Sequence, residues 1–108
     1  MNRTQLALLY VTFDSEEEAR LLSRKMVELR LAACANIFPA TKSIYEWQGK
    51  LQEVSESVVV LKTRRELVAP LREALQREHS YDTPACLDIR VESAGENFLD
   101  WVHQQTAS

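Results

Sequence analysis

Two short runs in this chain are apolar on both faces when read as strands, and they leave few ways to fold it. The first is QLALLYVTF, residues 5 to 13, with Leu6, Leu8 and Tyr10 on one side and Ala7, Leu9, Val11 and Phe13 on the other. The second is SVVVL, inside a longer segment that runs from Lys50 to Lys62. A strand that is apolar on both sides belongs in the middle of a sheet whose two faces are both covered. The chain has 108 residues, which predicts a single domain over 1–108. A domain of this size buries a real but modest core.

The remaining elements arrange themselves around these strands. Ser15 with Glu18, and Asp14 with Glu17, have capping-box spacing and predict a helix start. Ala19, Leu22, Met26 and Leu29 then recur at helical spacing, giving one buried stripe that ends near Arg30. Residues 32 to 46 are rich in Asn, Thr and Ser, and Pro39 would break a helix there. They predict a long strand that bends at Pro39 and resumes over Lys42 to Trp47. Gln48-Gly49 supplies the positive φ of a tight hairpin, and the return strand is long enough for the hairpin tip to overhang the domain.

Thr63 and Glu66 repeat the capping-box spacing and predict a helix through Glu78. Pro70 requires that helix either to begin nearer Val68 or to kink. HSYDTP, residues 79 to 84, is a loop by its turn chemistry. Residues 85 to 92 alternate, with Leu87, Ile89 and Val91 inward and Asp88, Arg90 and Glu92 outward, as in an edge strand. After Gly95 a short amphipathic helix gathers around Phe98, Trp101 and Val102.

The order βαββαβ plus a terminal helix predicts an α+β, ferredoxin-like antiparallel sheet with its helices on one face. Two helices cover one face only. The apolar second face therefore predicts burial against other copies of the chain, as an obligate homo-oligomer.

Charge and cysteine content narrow the function classes. The net charge is −3, which argues against nucleic acid and against acidic membrane surfaces as partners. The apolar run Leu6 to Val11 is too short for a signal segment or a membrane span, so a cytoplasmic location is expected. Two cysteines, Cys34 and Cys86, in such a chain are expected to be reduced thiols. The sequence has two glycines in all, with no phosphate-cradling loop and no GxSxG or HExxH, so no enzyme is predicted. A nucleophilic pair of His79 with Cys34 or Cys86 would need hydrogen-bond reach.

Several side chains invite two readings each. Cys34 is either a soft-metal ligand or a small buried hydrophobe, and no CxxC spacing accompanies it. His79 is either a metal or pocket residue, or a cation at a helix C-terminus. Tyr45 and Trp47 share a strand face and either stack on a ligand or fill a subunit interface, the interface being favoured. Asn36 and Lys62 are polar groups in otherwise apolar strands and need partners. For Lys62 these would be a carboxylate such as Glu56, or an anionic ligand.

LAACANI, SIYEWQGK, Glu56, VLKT and HSYDTP occur in this order along nearly the whole chain. With Ala-Ala-Cys-x-Asn at 32 to 36, Lys62-Thr63 and Phe98-Leu99-x-Trp101, the sequence resembles the CutA family of divalent-cation tolerance proteins. The resemblance implies a cytoplasmic homotrimer of ferredoxin-like subunits, in agreement with the apolar-sheet argument. It implies Cu(II) or another divalent cation as ligand, not required for folding, with Cys34 and His79 as the metal residues. The family fold is similar to that of trimeric PII signalling proteins. This gives an alternative: a sensor holding a small anionic ligand between subunits, in a cleft drawn from Asn36, Tyr45, Trp47, Lys62 and Tyr81. Two positions depart from the family loop. Ser80 stands where the family has proline, and Ala85 where it has glutamate, one of the family's candidate ligands. A third reading is therefore a trimeric scaffold whose ligand site has decayed.

Overall fold

The computed structural model describes residues 5–106, so residues 1–4 and 107–108 of the predicted domain lie outside the described residues. The chain runs β1 (Leu6–Phe13), α1 (Glu16–Glu28), β2 (Cys34–Trp47), β3 (Lys50–Arg64), a 3₁₀ turn (Arg65–Leu67), α2 (Val68–Glu78), β4 (Cys86–Arg90) and α3 (Glu96–Gln105). The four strands form one antiparallel sheet in the order β2-β3-β1-β4. The two doubly apolar runs are thus the two central strands, as their patterning predicts.

One face of the sheet carries Leu9, Val11 and Phe13 from β1 and Val59 and Leu61 from β3. Together with Ala19, Leu22 and Met26 of α1 and Leu71, Ala74 and Leu75 of α2 they form the main core. Leu29, expected to extend the α1 stripe, caps the helix instead and is 52% exposed, because the chain leaves helical geometry at Arg30 (φ 62°). The Ser15 cap forms as predicted, its hydroxyl accepting from the Glu18 N–H at 3.1 Å.

Thr63 does not cap α2. It stays in β3, fully buried, and donates its hydroxyl to the Leu31 carbonyl at 2.7 Å. α2 begins at Val68, which puts Pro70 in the first turn, where no intrahelical N–H donor is required.

The opposite face is the open one. It presents Leu8 and Tyr10 of β1, Val58, Val60 and Lys62 of β3, and Cys34, Asn36 and Phe38 of β2, as the register requires. Leu87 and Ile89 pair with Tyr10 and Leu8 and join this face, 60% and 45% exposed. Their inward direction from sequence therefore points away from the helices. On β4 it is Cys86 that packs against the helix-covered core. α3 closes one end of the molecule, with Val102 packed on Leu6 and Ala33 and with Val91 and Leu99 alongside. Of the three residues expected to anchor α3, only Val102 is buried; Phe98 and Trp101 remain about 40% exposed.

Between Phe38 and Thr41 the β2–β3 register slips by one residue, with two residues of β2 opposite one of β3. Ala40 takes up the bulge at φ 61°. The slip switches the parity of β2, so Tyr45 and Trp47 fall on the same face as Cys34 and Asn36. Beyond the bulge, residues 50–56 of β3 pair with β2 alone, and the hairpin overhangs the sheet as predicted. Its turn places Gln48 and Gly49 at φ 51° and 79°, the two positive values of a type I′ hairpin turn.

Candidate functional site: an acidic, aromatic cleft at the hairpin base

At the C-terminal end of β1, where the hairpin leaves the sheet, a cleft of about 510 Å³ opens among Thr12, Asp14, Tyr45, Trp47, Glu56 and Tyr81, with Ala85 in its wall. Its charged lining side chains, among the described residues, are the carboxylates of Asp14 and Glu56. Tyr81 joins the loop to the hairpin, donating its hydroxyl to Glu56 Oε2 at 2.7 Å. Burial first, then the bond to Glu56 and the charges of Glu56 and Asp14, push the Tyr81 phenol well above its ordinary range. The hydroxyl is therefore held protonated, as a donor to the Glu56 side chain.

His79 builds the loop that presents Tyr81. It is buried, and its ring stacks on Phe13 at 4.4 Å and 13°. Nε2 lies 2.7 Å from the Thr12 carbonyl, and Nδ1 accepts the Tyr81 N–H at 3.0 Å. A carbonyl can only accept, so Nε2 carries the proton and the ring is neutral in this arrangement. Both ring nitrogens are occupied. Ser80 supplies a second anchor through its N–H and hydroxyl, which donate to the two oxygens of Glu18 at 2.7 and 2.8 Å. A proline here would have no N–H to give.

The residues singled out in the sequence divide between two places. Tyr45, Trp47 and Tyr81 meet in the cleft. Cys34, Asn36 and Lys62 lie toward the other end of the open face. Cys34 is paired across from Lys62, which is paired across from Leu8. From the Leu8 row to the Thr12 row is four residues of strand, about 13 Å. One chain therefore does not bring Cys34 and His79 together on a metal, and among the described residues no group of three or more His, Cys, Asp or Glu side chains is placed to hold one.

Glu56, offered from sequence as a partner for Lys62, is bound to Tyr81 instead, and the Lys62 ammonium lies 5.6 Å over the Phe98 ring. Asp14 and Thr12 were missed as cleft residues, because Asp14 reads as helix-start chemistry and Thr12 as a strand residue. Cys34 and Cys86 are free thiols on opposite edges of the sheet and on opposite faces, beyond the reach of a disulfide. Burial raises the Cys86 thiol pKa, against the pull of the Arg72 guanidinium.

The strand order, the two helices on one face and the cleft at the hairpin base define a small ferredoxin-like α+β domain with a ligand-sized recess. A model of the CutA1 divalent ion tolerance protein family matches residues 7–105, and the chain belongs to that family. It is 40% identical over 96 residues to the divalent-cation tolerance protein CutA of Archaeoglobus fulgidus, covering 89% of this chain and 93% of that one. It is 36% identical over 99 residues to the chloroplastic protein CutA of Arabidopsis thaliana, covering 92% of this chain but 54% of the plant protein; the chain thus spans about half of that relative's length. The crystal structure of CutA1 from Ehrlichia chaffeensis superimposes with a TM-score of 0.94 at 36% identity, covering 99% of this chain and 100% of that one. The solved A. fulgidus structure is described as a periplasmic protein. Among the described residues no helix is long and apolar enough to cross a membrane.

Proposed function

We propose that this chain acts as a cytoplasmic homotrimer that binds divalent cations, copper included, at the Asp14–Glu56–Tyr81 cleft, and takes part in metal-ion tolerance. The observation that carries the reading is the charge of the cleft: its ionised lining groups are carboxylates, with no Lys or Arg among them. Oxygen donors of this kind suit a divalent cation, and a second copy or water would complete the coordination. The open face, where Leu87, Ile89 and Phe38 stand 45 to 60% exposed, supports self-association, and the number three is part of the proposal. The family name, divalent ion tolerance, supports the cation class. Free thiols suit a reducing compartment. The protein works by binding and not by catalysis. A sensor of small anions is the weaker reading, since Lys62 and Asn36 lie outside the cleft and the cleft itself repels anions.

Native mass spectrometry after one equivalent of Cu(II) per chain tests this. The expected result is a trimer that retains metal, loses it with Glu56→Gln, and keeps it with Cys34→Ser. Retention that depends on Cys34 alone would move the site to the thiol. A metal-free trimer would end the tight-binding claim.

A further inference from the structure

Helix α1 carries a second recess, on the helix-covered side of the sheet and away from the cation cleft. Arg20, Ser23, Arg24 and Val27 follow the i, i+3, i+4, i+7 pattern, so they form one stripe along the helix. That stripe faces Ala35 and Ile37 of β2, the outer strand, and together they line a groove of about 430 Å³. Space of that size lies in the range of small-molecule sites.

The groove combines an apolar floor with two guanidinium groups. Arg20 donates to Glu17 at 3.0 Å and Arg24 lies 3.6 Å from Glu28, both within α1 and with all four side chains at least half exposed. Such pairs are weak and exchange readily for a better partner. Glu28 also lines the groove, so two arginines and one glutamate leave one net positive charge. That balance suits a monoanion better than a dianion.

The second observation is Ser23. It is 4% exposed, and its buried Oγ has no hydrogen-bond partner. A helical serine usually bonds a carbonyl one turn back, and a buried hydroxyl left alone is costly. This one lies among the groove-lining residues, on the same stripe as both arginines.

We propose that the groove binds a small amphipathic carboxylate. The planar carboxylate would pair with Arg20 and Arg24, which suit it geometrically, and would accept the Ser23 hydroxyl. Its alkyl or aryl tail would lie on Val27, Ala35 and Ile37.

Calorimetric titration of the full chain with octanoate, below its micellar range, tests this against octanol and octylammonium. Saturable octanoate binding is expected, with neither of the other two binding comparably. Arg20→Gln with Arg24→Gln should weaken it about tenfold or more, the loss of charge-assisted bonds. Ser23→Ala should weaken it severalfold without lowering the melting temperature, since it also removes an orphan hydroxyl. Octanol binding as well as octanoate, or affinity unchanged in the arginine variants, would overturn the proposal. So would a lack of octanoate binding. In that case a changed oligomeric mass for Arg20→Glu/Arg24→Glu would reassign the groove to a contact between copies.

Discussion

The two faces of the sheet are built from equally apolar strands and end in opposite conditions. On the helix side Leu9, Val11, Phe13, Val59 and Leu61 are all fully buried. On the open side Phe38, Leu87 and Ile89 are 45 to 60% exposed within one chain. Hydrophobic stabilisation scales with area removed from water. The first face therefore holds the fold together, and the second leaves apolar area in water in a single chain. The cleft lies where the two regimes meet: Phe13, from the helix face, anchors His79, and Thr12, from the open face, bonds the same ring.

This contrast is sharpest in large-to-small substitutions. Leu61→Ala should lower unfolding free energy by about 2–5 kcal/mol, read in a denaturant melt, through lost burial and the cavity left behind. Ile89→Ala should cost the isolated subunit about 1 kcal/mol or less, as expected for a half-exposed site. Under the proposed self-association it should instead shift the assembly toward smaller mass at low concentration. Equal effects of the two changes on subunit stability, with no effect on mass, would erase the distinction between the faces.

A middle-sized effect is expected at the junction. His79→Ala leaves the Thr12 carbonyl and the Tyr81 N–H without partners, a loss of about 1–3 kcal/mol. Amide exchange should accelerate over residues 79–84 more than over β1. Acceleration confined to β1 would show that His79 serves the core and not the loop.

The smallest effect concerns pH. Tyr81 has a raised pKa in the fold, against an ordinary phenol value of 10.0. Between those two values the folded chain retains a proton that the unfolded chain has released. The contribution is thus fully present below about pH 10 and declines as pH rises beyond it. Tyr81→Phe should flatten that alkaline decline while also losing the bond to Glu56. An unchanged slope above pH 10 would remove Tyr81 as its source.

Much of the fold was legible along the chain. The N-cap at Ser15, the positive-φ turn at Gln48-Gly49 and the doubly apolar runs each depend on neighbours a few residues away, and each formed as read, although the Glu18 carboxylate of the expected capping box goes to Ser80. The same local logic misassigned Thr63, whose spacing to Glu66 mimics a cap. A buried partner at Leu31, 32 residues away, kept Thr63 in the strand. The alternation of β4 was correct but its direction was not, because alternation states that one side is apolar without stating which face of the sheet it meets.

The candidate site was legible in parts only. Tyr45, Trp47 and Tyr81 could be singled out as chemistry, but their meeting point was set by the bulge at residues 39–40, which turns one half of β2 over relative to the other. His79 reads as a metal residue until its two bonds are seen, one of them to a carbonyl 67 residues earlier. By itself the sequence determined the element order, the central strands and the surplus apolar face, since these follow from periodicity and from φ preferences. Only the tertiary structure decided which residues share a row, what occupies the two His79 nitrogens and where the carboxylates converge. Those depend on strand register and on contacts between distant segments, and a single residue's slip in register moves every side chain beyond it to the opposite face.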